Sequence, residues 1–139
     1  PTVTAATDSS DLHEKIADRL RALQNEPFKT IAVICKTARE SAEAFEALRE
    51  RVNAPLHLIT KETVSFETGI VVIPSYLAKG IEFDAVIVYD GSRAKYGKET
   101  DRKLFYTVCT RAMHRLYIYH VGAMSPFIEE ADRSTYNIT

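Results

Sequence analysis

The 139-residue chain has the length of one domain, and its apolar and charged contents, 45% and 27%, are ordinary for a globular protein. A net charge of −1 argues against a protein held to nucleic acid by bulk charge alone, and no apolar run approaches the 18 residues of a membrane span. The two cysteines and four histidines show neither C-x-x-C nor metal-ligand spacing, which favours reduced thiols, a cytoplasmic protein and no metal ligated by the protein alone.

A first helix follows a short extended start at residues 2–4. Asp11, with Glu14 three positions later, predicts the cap of this helix, and Pro27 ends the helical segment. Apolar residues recur at helical spacing behind the cap and predict the buried face. They are Leu12, Ile16, Leu20 and Leu23.

The next signals alternate between strand and helix. Residues 31–35 form a continuous apolar run, typical of a strand covered on both faces. Thr37 with Glu40 predicts the start of a second helix that ends at 53–55, and a short strand is expected at 56–59. The second helix is expected to point three residues inward, namely Ala42, Phe45 and Leu48.

The last half contains three more strand candidates, a loop and two helices. Residues 91–97 are expected to be the most flexible segment, residues 101–113 to form a helix, and Pro126 to open a short terminal helix. The helix is expected to point Leu104, Phe105, Val108 and Ala112 inward. The strand candidates are residues 70–73, 85–89 and 116–119. Buried strands separated by helices predict a single three-layer α/β/α domain, residues 1–139, with a mostly parallel sheet.

The segment from Ser75 to Asp84, SYLAKGIEFD, is expected where a strand gives way to a helix. Gly80 would let a ligand approach the backbone closely, and a helix N-terminus would offer free N–H groups to an anion. The pattern Lys79-Gly80-x-Glu82 thus stands where an anion could approach the backbone. The alternative is a turn that carries a solvated lysine and glutamate.

A second motif, TVCTRA, ends the helix expected at 101–113. Arg111 would project from the end of that helix, and its planar donor fork suits a phosphate better than a lysine does. An arginine in this position has the geometry of an arginine finger, which stabilises charge on a phosphoryl group held by another surface. The alternative is a cation favoured by the helix dipole. The surrounding segment, 93–115, carries seven Lys or Arg against two acids, either as a solvated basic face or as a surface for a polyanion.

In this order and spacing, the two motifs resemble those of the second RecA-like domain of UvrD/Rep-type superfamily 1 DNA helicases. The resemblance runs from about residue 31 to residue 119. It implies that Glu82 reaches the nucleotide ribose, that Lys79 and Gly80 lie beside the triphosphate, and that Arg111 is the catalytic arginine finger. It also implies a RecA-like fold, related to that of P-loop NTPases.

The resemblance extends to residues 31–40, IAVICKTARE, which are similar to the family's strand-to-helix motif. The family usually has a phosphate-contacting arginine beside a threonine, and Lys36 followed by Thr37 stands there. Tyr76, beside Ser75, stands where many relatives carry a histidine near the nucleic-acid strand. The resemblance therefore implies that Lys36 binds nucleotide and that Ser75, Tyr76 and Thr37 bind nucleic acid, although Tyr76 is equally well a core or edge tyrosine.

A phosphate-binding loop of the form G-x-x-x-x-G-K-[ST] is absent from the chain. Residues 91–98 come nearest, but their spacing is one residue too long, and Glu99 replaces the hydroxyl residue. The resemblance thus implies half of an ATP-driven motor, a fragment of a longer protein that is inactive when isolated. Its N-terminal RecA-like domain would supply the phosphate loop and the ligands of Mg²⁺, and ATP would bind between the two domains.

The expected function is that of a DNA helicase or translocase acting on single-stranded DNA. An accessory domain found in many relatives is absent between the motifs at residues 31–40 and 75–84, which makes the chain most similar to the branch that acts with bacterial RNA polymerase. The alternative function is therefore ATP-driven remodelling of RNA polymerase, or of another nucleic-acid complex, without duplex unwinding.

Overall fold

A computed structural model describes residues 1–63, 65 and 68–139. The described residues form one sheet with the strand order β3-β4-β2-β5-β6-β1-β7, in which every pairing between strands is parallel. The strands are β1 Thr2–Ala6, β2 Thr30–Cys35, β3 Leu56–Leu58, β4 Gly69–Pro74, β5 Phe83–Val88, β6 Ala112–Val121 and β7 Asn137–Ile138. The helices are α1 Ser9–Leu23, α2 Ala38–Arg49, α3 Ser75–Ala78, α4 Arg102–Cys109 and α5 Pro126–Glu129. The predicted α/β fold with a mostly parallel sheet is confirmed.

The helices cover the two faces of the sheet unequally. The first face is covered by α1 and α2, which have 15 and 12 residues. The second face is covered by α3, α4 and α5, which have only four, eight and four residues. Apolar side chains from both sides of the central strands fill two cores, one under each layer. The result is a three-layer arrangement with one thick and one thin layer of helices.

The first helix begins earlier than the sequence signal predicted. Asp8, not Asp11, is the cap, because its carboxylate accepts the N–H of Asp11. Asp11 in turn accepts the N–H of Thr7, the residue before the cap, so both carboxylates bind backbone N–H groups at the start of α1. The expected buried face of α1 is confirmed, since all four of its predicted residues are buried.

The second helix has the predicted cap, because the Thr37 hydroxyl accepts the N–H of Glu40. The inward face predicted for this helix is partly wrong. Ala42 is exposed and Phe45 is half-buried. Leu48 is buried as predicted, and the buried residues also include Ser41 and Ala44. The helical face is rotated because the Glu40 carboxylate turns inward, where it accepts the N–H of Lys36.

The helix predicted at 101–113 is shorter, and the strand predicted at 116–119 is longer. The structure has α4 at Arg102–Cys109 and β6 at Ala112–Val121. Residues from Ala112 onward pair with β5 on one side, and residues 117–121 also pair with β1 on the other. Backbone hydrogen bonds to both neighbouring strands therefore stabilise an extended conformation against helix propensity in this segment.

The segment 91–97, which was expected to be flexible, is anchored by hydrogen bonds. Gly91 donates its N–H to the carbonyl of Tyr119, and its carbonyl accepts the N–H of Ser125. Tyr96 is buried, and its carbonyl accepts the hydroxyl of Ser125 at 2.6 Å. These contacts fix the β5–α4 connection, residues 89–101, across the end of the sheet.

Candidate functional site

The first motif forms the crossing from β4 to β5 on the thin side of the sheet. After β4 ends at Pro74, α3 makes a single turn, and Lys79 and Gly80 follow it before β5 begins at Phe83. Lys79 and Gly80 thus lie behind a helix instead of in front of one, so the predicted helix N-terminus is not available to them. Gly80 has a φ of +77°, and a Cβ built on it would meet no atom within 4 Å. The turn needs glycine for its backbone conformation and leaves open space beside it.

Arg111 lies in the turn between α4 and β6, two residues past the helix end. Its Nε donates to the carbonyl of Thr107 at 3.1 Å, and its Nη2 lies 3.3 Å from the hydroxyl oxygen of Thr110. Both acceptors are neutral, and no ion pair of Arg111 is found within the described residues. The guanidinium therefore keeps an uncompensated charge at a half-buried position.

The two motifs meet through the backbone. Phe83 donates its N–H to the carbonyl of Arg111 at 2.8 Å, so Glu82 and Arg111 are brought to the same end of the sheet. Glu82 is exposed, and the described part of the chain places no cation in an ion pair with it. Because α3 packs against α4, Lys79 and Gly80 share the thin face with Arg111. The structure thus brings together four of the predicted nucleotide-site residues.

Lys36 is placed elsewhere, at the carboxyl end of β2. Its ammonium forms an ion pair with Oδ1 of Asp101 at 3.0 Å and donates to the carbonyl of Lys95 at 2.5 Å. It also lies 5.5 Å from the ring centroid of Tyr96. The charge of Lys36 is therefore already paired with an acid of this domain.

The three residues expected to bind nucleic acid also lie at the carboxyl ends of the strands. Ser75 is buried, and its hydroxyl donates to the carbonyl of Lys36 at 2.7 Å. The hydroxyl of Thr37 caps α2, although the residue is exposed. Tyr76 is 51% exposed. Tyr76 and Thr37 are accessible, whereas the Ser75 hydroxyl is already used.

The predicted site residues lie at both edges of the sheet. In a parallel sheet all strands start at one edge and end at the other, and Lys36, Ser75 and Tyr76 follow strand ends. Glu82 and Arg111 precede strand starts. The short crossing through α3 connects the two edges, so Glu82 and Arg111 lie at the opposite end of the sheet from Lys36, Ser75 and Tyr76.

Three of the seven cations in the basic segment 93–115 form ion pairs with acids. Arg93 pairs with Glu129, and Arg102 pairs with both Glu99 and Glu130. Lys95 pairs with Glu40. Sequence analysis missed these partners because three of them lie far along the chain from the cations they neutralise. The remaining four cations of the segment, Lys98, Lys103, Arg111 and Arg115, form no ion pair within the described residues, so the positive charge offered to a polyanion is reduced only in part.

Residues 69–119 match the family model described as the UvrD-like helicase C-terminal domain. A solved structure described as the C-terminal domain of a possible DNA helicase from Lactobacillus plantarum WCFS1 is 35% identical, with a TM-score of 0.90. That alignment covers 99% of this chain and 84% of the other. The chain belongs to the UvrD-like helicase C-terminal domain family. Lys79, Gly80, Glu82 and Arg111 lie inside the matched region, whereas Lys36 and Thr37 lie outside it.

Two further solved structures share the fold of this UvrD-like domain at low identity. The C-terminal domain of the DEAD-box protein Dbp5 has a TM-score of 0.70 at 11% identity, over 99% of this chain and 87% of the other. The arterivirus nonstructural protein 10 helicase, solved in complex with DNA, has a TM-score of 0.57 at 10% identity, over 99% of this chain and 34% of the other. No curated protein sequence matches the chain significantly. Among the described residues, no helix is long and apolar enough to cross a membrane.

Proposed function

We propose that this UvrD-like domain is the second motor domain of an ATP-dependent DNA helicase or translocase, with Arg111 as its arginine finger. Lys79, Gly80 and Glu82 line the nucleotide beside it. The observation that carries the proposal is the 2.8 Å hydrogen bond from the Phe83 N–H to the Arg111 carbonyl, which joins the two motifs at one edge. The same protein's N-terminal RecA-like domain supplies the phosphate loop, and ATP binds between the two domains.

The surroundings of Arg111 support a role toward phosphate. Two neutral oxygens orient its guanidinium and leave its positive charge uncompensated. A phosphoryl oxygen that arrives from a facing domain would replace these neutral acceptors by a charged one, with which a guanidinium can form two parallel N–H···O bonds. The exposed carboxylate of Glu82 is an acceptor suited to ribose hydroxyls, and the open space beside Gly80 lets a ligand come close to the backbone.

Mg²⁺ accompanies ATP and, in this proposal, is ligated by the N-terminal domain. Within the described ranges, no group of three or more His, Cys, Asp or Glu is placed to hold a metal ion. This domain therefore contributes the ribose contact, the turn beside the triphosphate and the positive charge. The metal, when bound, neutralises charge on the phosphate oxygens.

Single-stranded DNA is proposed to cross the carboxyl end of the thin face, where Tyr76 offers an exposed ring for base stacking. The exposed Thr37 lies beyond the neighbouring strand end. The Ser75 hydroxyl acts indirectly in this proposal, because it holds the carbonyl of Lys36. Movement along the strand would follow from ATP-dependent closure of the two motor domains on one another.

A second candidate function is ATP-driven remodelling of RNA polymerase, or of another nucleic-acid complex, without unwinding. The short stretch between α2, which ends at Arg49, and β4, which begins at Gly69, favours it. That stretch has no room for the accessory domain that many helicases of this kind carry between these motifs. Duplex-unwinding and polymerase-displacement assays of the full-length protein would decide between the two functions.

The decisive test of the proposal is Arg111→Ala in the full-length protein. We expect the kcat of ATP hydrolysis to fall about 10³–10⁵-fold, as for removal of an arginine finger, with a much smaller change in KM. Arg111→Lys should restore little, because an ammonium lacks the bidentate fork. Arg39→Ala is the control, since Arg39 lies on the thick face with its side chain 92% exposed.

Near-normal ATP hydrolysis by a correctly folded Arg111→Ala protein would refute the finger. In that case the arginine would serve only to bind the Thr107 carbonyl at the end of α4. Thermal unfolding of the two variants and the parent separates loss of function from loss of fold.

A further inference from the structure

The β5–α4 connection crosses the carboxyl end of β2, where it is held by Lys36. The ammonium of Lys36 has three N–H donors and three partners, all in this connection. They are the carboxylate of Asp101 at 3.0 Å, the carbonyl of Lys95 at 2.5 Å and the ring of Tyr96 at 5.5 Å from its centroid. Two of its three N–H donors are therefore used by oxygen atoms of this connection.

Both carboxylate oxygens of Asp101 also have partners within the domain. Its second carboxylate oxygen accepts the N–H of Lys98 at 3.1 Å, and its side chain is only 14% exposed. Burial acts against the charged carboxylate, but the hydrogen bond from Lys36, the N–H of Lys98 and both lysine charges outweigh it and lower the pKa of Asp101. The carboxylate is thus ionised at neutral pH and pairs with Lys36 over a wide pH range.

A second ion pair holds the same connection one turn further along α2. Lys95 Nζ lies 3.4 Å from Oε2 of Glu40, whose other oxygen accepts the N–H of Lys36 at 2.9 Å. The hydroxyl of Ser75 then binds the carbonyl of Lys36 from the side of β4. Lys36 is therefore fixed through its N–H, its carbonyl and its side chain at once.

The position of Asp101 relative to α4 gives this contact a consequence for the site. A 3-10 turn, Glu99–Asp101, runs directly into α4, whose eight residues end two positions before Arg111. An eight-residue helix is a rigid rod about 12 Å long. Whatever fixes Asp101 therefore helps to fix the axial position of α4 and of the arginine behind it.

We propose that Lys36 is a positioning residue that clamps Asp101, the start of α4, to the end of β2 and so sets the position of Arg111. Lys36 is not a ligand of the nucleotide phosphate in this proposal, because its charge is paired with Asp101 inside the domain. The part that concerns Arg111 rests on the proposed function, whereas the clamp itself is a property of this chain alone.

The clamp is tested on the 139-residue chain with Lys36→Met, Asp101→Asn and the double variant. Each single variant should lower Tm by roughly 3–6 °C, because each leaves a partly buried charge unpaired. The double variant should unfold no earlier than the worse single variant, because both changes remove the same contact. Asp101→Glu keeps the charge pair and should stay near the parent, and Lys103→Met, an exposed lysine on α4, is the matched control.

Hydrogen exchange localises the effect. Amides at residues 95–105 should exchange at least about tenfold faster in both single variants, while amides of α1 keep their rates. Unchanged exchange and unchanged Tm in Lys36→Met and Asp101→Asn would overturn the clamp. Additive losses in the double variant would overturn it as well, since independent contacts add.

ATP hydrolysis by the full-length protein separates positioning from phosphate binding. If Lys36 positions Arg111, Lys36→Met and Asp101→Asn should lower kcat by similar factors, about 10-fold, with KM within about twofold, because a small misplacement of a catalytic group costs rate. A phosphate ligand behaves differently. Loss of Lys36 would then raise KM, while Asp101→Asn, which frees the ammonium, would leave KM unchanged or lower it, and that pattern would overturn the proposal.

Failure of the proposed function has a distinct signature. If Arg111→Ala hydrolyses ATP normally, the finger is wrong whatever the Lys36 and Asp101 variants do. If Arg111→Ala is inactive but the Lys36 and Asp101 variants differ from one another in kcat, the finger stands and the positioning role is wrong.

Discussion

Replacing Gly97 with alanine is expected to destabilise the β5–α4 connection that Lys36 clamps. A Cβ built on Gly97 would lie 2.1 Å from the carbonyl oxygen of Arg93 and 3.1 Å from the carbon of that group. A carbon and an oxygen normally approach to about 3.3 Å, so one of the two backbone segments must move by about 1.2 Å. No side-chain rotation can relieve the contact, because the obstructing atom belongs to the backbone.

The size of the effect follows from this overlap. Forcing an extra methyl group into a closely packed site costs about 1–3 kcal/mol. With an unfolding entropy of about 2.1 cal/mol/K per residue, a chain of 139 residues loses about 3.4 °C of Tm per kcal/mol. Gly97→Ala should therefore unfold about 3–10 °C below the parent, and the buried ring of Tyr96 should become accessible.

Calorimetry gives Tm, and hydrogen exchange at residues 91–101 shows whether the connection itself has opened. Thr100→Ala is the matched control: its side chain is exposed in the same connection, and it should unfold within about 0.5 kcal/mol of the parent. A Gly97→Ala protein with the parent's Tm and the parent's exchange rates would show that the backbone near Arg93 adapts without cost, contrary to this reasoning.

Two further predictions concern the proposed ligand contacts of the full-length protein. Glu82→Ala should raise the KM for ATP more than it lowers kcat, because a ribose contact is made about equally in the ground and transition states; steady-state kinetics showing a large kcat loss at constant KM would contradict this role. Tyr76→Ala should weaken single-stranded DNA binding by about 1–3 kcal/mol in a fluorescence titration, whereas Tyr76→Phe should bind like the parent. Tyr106→Ala, a control tyrosine that is 45% exposed on α4, should leave DNA affinity unchanged, and an equal loss at Tyr76 and Tyr106 would argue against a specific stacking site.

The order of elements was predictable because the central strands are apolar without interruption. Residues 31–35, 70–73 and 85–88 are almost entirely aliphatic, and burial on both faces is the environment that such runs require. The cap at Thr37 was equally predictable, because a hydroxyl residue followed three positions later by a glutamate, here Glu40, is the typical pattern of a helix N-cap. Both signals act over distances of a few residues, which is the range that a sequence pattern covers.

The boundary between α4 and β6 could not be predicted for the opposite reason. Residues 112–115 lie between a helical pattern and an apolar run, and their conformation is set by pairing with β5, about 30 residues earlier in the chain. The ion pair between Lys36 and Asp101 could not be predicted for the same reason. The two residues are far apart in sequence and meet only when the connection folds over β2. Local motifs were enough to name Lys79, Gly80, Glu82 and Arg111. The sheet edge at which they lie could not be predicted, because it depends on how far α3 carries the chain across the sheet.

The place of β1 in the sheet has a consequence for the order in which the domain folds. Thr2, at the start of the chain, lies opposite Tyr117 of β6, and β7 pairs with β1 alone among the described strands. By contrast, β2, β4 and β5 pair with one another within residues 30–88. The entropic cost of closing the long loop between β1 and β6 grows only with the logarithm of loop length, so the loop lowers the stability of this pairing little. It slows the formation of the pairing more. During synthesis, β1 leaves the ribosome before its partner β6 and must therefore wait for it, so β1 and β7 join a central sheet that has already formed.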